Sequence, residues 1–137
     1  MMNDDNFKIV IPEIDSGSAL KLCRGNKKIY IQSLRLFVSN IPATLEKMRG
    51  VTENNLKDYI TSVHSLKGMC DYTGALEIRK TAKQLEDIAD AGDYYGILER
   101  NETLIKQTEK IIHNIQKWLY DNSNFIDKII NTEQKNG

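Results

Sequence analysis

Residues 56–74 read LKDYITSVHSLKGMCDYTG, and the spacing within them decides the fold. Leu56, Tyr59, Val63, Leu66 and Cys70 recur at three- and four-residue intervals, the period of one face of an α-helix. A helix is expected from about Thr52 to Tyr72, closed by Gly74 as a C-cap, because glycine enters the left-handed conformation without a Cβ penalty. Steps of about 100° per residue turn His64 roughly 120° away from the buried stripe, so its imidazole faces water. Lys57, Ile60, Thr61, Lys67, Gly68 and Asp71 share that outer surface. Lys67 and Gly68 follow His64 by three and four residues, which sets both beside the ring one helical turn along.

The same period extends in both directions. After an extended entry around Phe7 to Pro12, Asp15 or Ser16 caps a short helix that ends before Gly25. A second helix opens near Asn26, carries Tyr30, Leu34, Phe37, Ile41, Leu45 and Met48 at helical spacing, and stops at Gly50. Pro42 falls inside that stripe, lacks the donor to residue 38, and is expected to kink or split the helix. A fourth helix runs from Ala75 to Ala91, with Ile78, Ala82, Leu85 and Ala89 on its apolar edge. Glu77, Arg79, Lys80, Lys83, Glu86 and Asp87 lie opposite that edge, and Glu86, Asp87 and Asp90 read as its solvated face. Asp93 caps a fifth helix whose stripe is Ile97, Leu98, Leu104, Ile105, Ile111, Ile112, Ile115, Trp118 and Leu119.

Long amphipathic helices joined by short turns define an all-α protein, an antiparallel four-helix bundle with a short additional N-terminal helix. Residues 1–13 form an extended lead-in, 14–120 the bundle, and 121–137 a C-terminal extension. In that extension Phe125, Ile126, Ile129 and Ile130 supply a further helical turn or two before a polar, disordered close from Asn131.

Composition narrows the function. A chain of 137 residues, 40% hydrophobic, has the length for one cored domain and is too short for two of ordinary size. Lysine plus arginine equals aspartate plus glutamate at 19 each, which leaves no basic footprint for nucleic acid and no polybasic block for anionic lipid. Cys23 and Cys70 stand far apart, outside any CxxC pair or Cys/His cluster, as expected of reduced core residues in a cytoplasmic protein. The start, Met1-Met2-Asn3-Asp4-Asp5, is acidic, and no window approaches 18 apolar residues, so neither a secretory leader nor a membrane span is expected.

Chemistry concentrates at His64. A neutral imidazole, with an ordinary pKa near ~6.5, presents an unprotonated ring nitrogen that can attack phosphorus without a separate base. A phosphoryl group on that nitrogen carries close to two negative charges, and the Lys67 ammonium offsets part of them. Phosphoryl transfer depends on positioning and an unobstructed in-line approach, and Gly68 removes the side chain that would stand in the way. Mid-helix glycine costs about 1 kcal/mol relative to alanine, so Gly68 needs a compensating reason: access for a partner, or tight packing on a neighbouring helix. His113, beside Ile112, has no Lys-Gly neighbour and reads as structural or solvent-facing.

The order H-S-L-K-G at residues 64–68, Gly74-Ala75 after it, and a following helix with Leu85-Glu86 together resemble the signature of the histidine-containing phosphotransfer (HPt) domain family. The resemblance covers roughly Ile14 to Leu119. It implies a four-helix bundle whose histidine, His64 here, accepts a phosphoryl group from a receiver-domain aspartate and passes it to another receiver, in a multistep two-component phosphorelay. Lys67 is then the countercharge and Gly68 the clearance. Partners implied are receiver domains of response regulators and a hybrid sensor histidine kinase; the module itself is a monomer with no cofactor, and Mg²⁺ belongs to the receiver. No phosphate-binding loop or kinase-type glycine motif is present in the sequence, so an intermediate rather than a kinase is expected.

Docking is expected on the outer face of the third helix, through Ile60, Thr61 and Asp71, with the second helix as an adjoining wall. Ile60 also fits a boundary core position. Asp71 departs from the small residue expected two turns after the histidine, and can pair with Lys67. The alternative is a helical interaction or scaffold domain of the same fold that leaves the histidine unused. A cofactor-holding bundle would need inward polar ligands, whereas the inner stripes are apolar.

Overall fold

Three side chains start helices by accepting hydrogen bonds that the first helical turn cannot make for itself. Asp15 accepts from Ser18 N (3.0 Å), Asn26 from Ile29 N (3.1 Å) and Asp93 from Gly96 N (3.0 Å). In the structure, a computed structural model that describes residues 8–136 with 132–136 as backbone, these caps open α1 (Ser16–Leu22), α2 (Lys27–Arg49) and α5 (Tyr94–Asp121). The other helices are α3 (Leu56–Thr73), α4 (Leu76–Asp90) and α6 (Ser123–Asn136). No strand occurs among the described residues, and the fold is a helical bundle.

Helices α2, α3, α4 and α5 pack in a closed circuit, each against the next and α5 back against α2. The inner faces bury Tyr30, Leu34, Phe37, Tyr59, Leu66, Leu85, Ile97 and Leu104 almost completely. Full burial of each large apolar side chain contributes about 1.5–3 kcal/mol, and this opposes the entropy of ordering the chain. One polar cluster crosses the core: Tyr59 Oη donates to Asn101 Oδ1 (2.8 Å), and Asn101 Nδ2 donates to Met48 O (2.8 Å). Because every member is satisfied, burial of these groups carries little penalty. Cys23 and Cys70 are both buried and free.

Several local expectations are corrected. Helix α2 is not split at Pro42. It runs unbroken from Lys27 to Arg49, because Pro42 points to solvent, where water can serve the carbonyl it leaves unbonded, while Phe37, Ile41 and Leu45 hold the helix on the core. Helix α3 starts at Leu56 rather than Thr52, since Thr52 N donates to Asn55 Oδ1 (2.7 Å) and Asn55 Nδ2 to Gly50 O (2.9 Å), closing a turn. Leu56 is accordingly half-buried. Leu98 is exposed: the stripe steps from Ile97 to Asn101 and Leu104, and one residue past Ile97 turns outward.

The C-terminal segment is helical through Asn136 rather than disordered from Asn131. With no proline or glycine to stop it before Gly137, α6 continues past the point where Ile126 and Ile129 anchor it against α2 and α5. At the other end, Ile9 and Ile11 of the lead-in are buried, while Met1 to Phe7 and Gly137 fall outside the described residues.

The α3–α4 connection positions the site. Gly74 adopts φ +88° as the C-cap of α3, and only Ala75 separates it from α4. Asp15 N donates to Gly74 O (2.8 Å), and Tyr30 Oη donates to Thr73 O (2.8 Å), so α1 and α2 both clamp this turn. A Cβ on Gly74 would overlap the Asp15 carbonyl group. Gly74→Ala is therefore expected to lower unfolding free energy by about 2–3 kcal/mol, through left-handed strain plus displacement of α1. Urea unfolding checks this; an unchanged midpoint contradicts the clamp.

Candidate functional site

His64 sits midway along α3 on the side away from the core, with its side chain 70% exposed. The stripe beneath it is buried as expected, with Tyr59, Val63, Leu66 and Cys70 at 2% exposure or less. What the sequence reading missed is the residue that reaches His64 from α4. Glu86 Oε2 lies 3.0 Å from His64 Nδ1, and Glu86 Oε1 accepts from Lys67 Nζ at 3.0 Å. Glu86 is not part of a solvated face: its side chain is 12% exposed and that of Lys67 is 16% exposed. On α4 it follows Ala82 by four residues and precedes Ala89 by three, so it borders the apolar edge and points at α3.

This contact selects the tautomer of the ring. Burial raises the Glu86 pKa, but hydrogen bonds from Lys67 and His64 and the charge beside it more than offset that, and hold the carboxyl below its usual range. An ionised carboxylate can only accept, so Nδ1 of His64 carries the hydrogen and the neutral ring keeps its lone pair on Nε2. The arrangement presents an exposed nitrogen nucleophile whose ring is fixed from behind.

Gly68 lies one turn along, and a Cβ built there meets nothing within 4 Å. Packing against a neighbouring helix therefore does not account for this glycine. The open surface beside the imidazole does.

The remaining site residues divide. Ile60 is half-buried and packs against the core, which fits the boundary position weighed above. Thr61 is exposed, with Oγ1 donating to Lys57 O (3.1 Å). Asp71 pairs with Arg79 of α4 rather than with Lys67. The facing Glu86 takes Lys67 instead, in a more buried setting where opposite charges attract more strongly. Ser33 and Leu36 of α2 with Met69 and Tyr72 of α3 line a shallow groove of about 210 Å³, and Leu36 and Tyr72 are each 54% exposed. Tyr72 stands two turns beyond His64 on the same face, with Gly68 between them.

Ligand atoms of Glu86, Asp87 and Asp90 come within 4.8 Å of one another. Lysines answer these charges: Lys83 Nζ is 2.9 Å from Asp87 Oδ1 and 3.9 Å from Glu86 Oε1, beside the Lys67 contact. His113 is exposed on α5 and makes no hydrogen bond or ion pair among the described residues.

The family model described as the Hpt domain matches residues 32–118, more than half of the chain and inclusive of His64, Lys67, Gly68 and Glu86. No curated protein and no solved structure matches the chain. No helix among the described residues is long and apolar enough to cross a membrane.

Because the Glu86 carboxyl is held below its unfolded value, the folded protein binds fewer protons than the unfolded chain as acid is added. Its contribution is complete above about pH 4.3 and is lost as pH falls through the lower folded value. Glu86→Gln is expected to cost about 1–3 kcal/mol at neutral pH, with the gap to wild type narrowing on acidification. Urea unfolding at a series of pH values measures this, and a gap independent of pH contradicts it.

Proposed function

We propose a function from the premise that this chain belongs to the Hpt domain family: His64 accepts a phosphoryl group from an aspartyl phosphate of one receiver domain and delivers it to the aspartate of another. The observation that carries this is an imidazole 70% exposed, one turn from an open glycine, with Nδ1 3.0 Å from a carboxylate so that Nε2 is the nitrogen left free. The Nε2 lone pair attacks phosphorus in line as the acyl phosphate bond breaks, and Gly68 leaves room for the donor's carboxylate and its surrounding loops. The Lys67 ammonium, one turn along, offsets charge on the incoming group.

Hpt domains are phosphotransfer modules rather than kinases. The module works as a cytoplasmic monomer between receivers of response regulators or of a hybrid sensor histidine kinase, and the Mg²⁺ of the exchange belongs to the receiver's acidic pocket. Receivers dock across α3 and the adjoining edge of α2. Ile60 and Thr61 lie on one side of His64, and Leu36, Met69 and Tyr72 offer apolar area on the other. Asp71, already paired with Arg79, sits at the margin of this face.

Incubation with a phosphorylated receiver is expected to label the protein with phosphate that is labile to acid, stable to alkali and absent in His64→Gln. Label that persists in His64→Gln overturns His64 as the acceptor, and no label from any receiver of the source organism leaves a scaffold domain as the function. Gly68→Ala separates stability from activity. It is expected to stabilise the helix by up to about 1 kcal/mol, because its Cβ meets nothing. It is also expected to slow transfer about tenfold or more by obstructing approach. A destabilised variant, or one with undiminished transfer, contradicts the clearance role.

A further inference from the structure

Lys67 has two anions to serve, and they lie in different places. At rest its ammonium is 3.0 Å from Glu86 Oε1, in a pair whose side chains are 16% and 12% exposed. The phosphoryl group arrives at Nε2, whereas Glu86 stands at Nδ1, so Lys67 moves away from the carboxylate as it moves toward the phosphate. A largely buried carboxylate that loses its counterion is left uncompensated, which is far costlier than the same loss in water. Until the N–P bond forms, the His64 ring is neutral and brings no charge to Glu86 in exchange.

A second lysine is placed to take over. Lys83 Nζ is already 3.9 Å from the same Oε1, and its side chain is 52% exposed and so has room to move. At rest it bonds Asp87 Oδ1 at 2.9 Å, but Asp87 is 59% exposed, and water replaces a cation there at little cost. The Lys83 pKa is raised, first by its hydrogen bond to Asp87 and by the charge of Asp87, with Glu86 and Asp90 adding to it, so the side chain is a cation throughout the neutral range. We propose that Lys83 is the reserve counterion of this site: when an incoming phosphoryl group draws Lys67 from Glu86, Lys83 leaves Asp87 and closes on Glu86 Oε1. The inference rests on the phosphotransfer function above and makes Lys83 a positioning residue that acts through Glu86 and Lys67.

The spacing along α4 makes the exchange a small movement. Lys83 precedes Glu86 by three residues and Asp87 by four, so one lysine reaches either carboxylate from a fixed backbone position. The carboxylate shielded from water keeps an ammonium partner in both states, and only the exposed Asp87 is given over to solvent. No bond or proton is transferred in the exchange itself. It accompanies loading of Nε2 and reverses when the phosphate leaves, because Lys67 then has no other anion to draw it and returns to the more buried pair.

The test uses the full chain labelled with ¹⁵N-lysine and phosphorylated with phosphoramidate, which gives its phosphoryl group to Nε2, releases ammonia and needs no receiver. Correlation spectra of the lysine ammonium groups at about pH 6 report the hydrogen bonding of each Nζ, and Lys83→Arg identifies the Lys83 signal by its loss. Phosphorylation is expected to shift the Lys67 and Lys83 signals together and to slow hydrogen exchange at Lys83. Lys83→Met keeps the apolar stem without the charge. It is expected to leave the urea midpoint of the unphosphorylated protein unchanged while slowing phosphorylation of His64 about three- to tenfold, and Lys83→Arg is expected to retain the wild-type rate. A Lys83 signal unmoved by phosphorylation, or a wild-type rate in Lys83→Met, overturns the reserve role and leaves the phosphotransfer function standing. The spectra of the unsubstituted chain decide the matter should Lys83→Met fail to fold. Failure of His64 to be phosphorylated at all overturns that function, and this inference with it.

Discussion

A single carboxylate ties the site to the fold. Glu86 bridges from α4 to two residues of α3 one turn apart, with one oxygen on His64 and the other on Lys67. It can do so because the two helices diverge from a turn of only Gly74 and Ala75. His64 lies ten residues before Gly74 and Glu86 eleven after Ala75, so at about 1.5 Å per residue both stand some 15–17 Å from the turn. The left-handed Gly74, clamped by Asp15 and Tyr30, thus sets the register that makes His64 face Glu86.

Stability and function make different demands on the outer face of α3. The inner stripe of Tyr59, Val63, Leu66 and Cys70 holds the helix rigidly to the core, which fixes the backbone on which His64 is mounted. On the outer side the protein keeps a mid-helix glycine with nothing packed against it and leaves Leu36 and Tyr72 half in water. Each choice costs the isolated domain some stability, and each is suited to a visiting surface. The ion pairs follow the same division. Lys67–Glu86 is largely shielded and holds the carboxylate against the His64 ring, whereas Arg79–Asp71 and Lys83–Asp87 are solvated and of small energetic weight.

The helices and their caps were legible along the chain because caps and amphipathic stripes are local. Asp15, Asn26 and Asp93 each accept from a backbone N–H three residues on. Pro42 misled because its penalty depends on whether the orphaned carbonyl can reach water, a matter of which face the residue occupies in the packed bundle. Glu86 misled for a related reason. A carboxylate bordering an apolar edge reads as solvated until a facing helix supplies an ammonium and an imidazole. The signal available was positional: four residues past Ala82, and at the same distance from the turn as His64.

Taken alone, the sequence determined that the chain is helical, that His64 faces outward with Lys67 and Gly68 beside it, and that Gly74 ends the helix carrying them. These properties follow from the 3.6-residue period and from backbone sterics, which act over a few neighbouring residues. Only the tertiary structure decided that Lys67 belongs to Glu86 rather than Asp71, that Nε2 is the free nitrogen, and that Gly68 borders open space rather than another helix. Pairings between helices depend on their mutual register and on the exclusion of water between them, and neither exists until the bundle has closed.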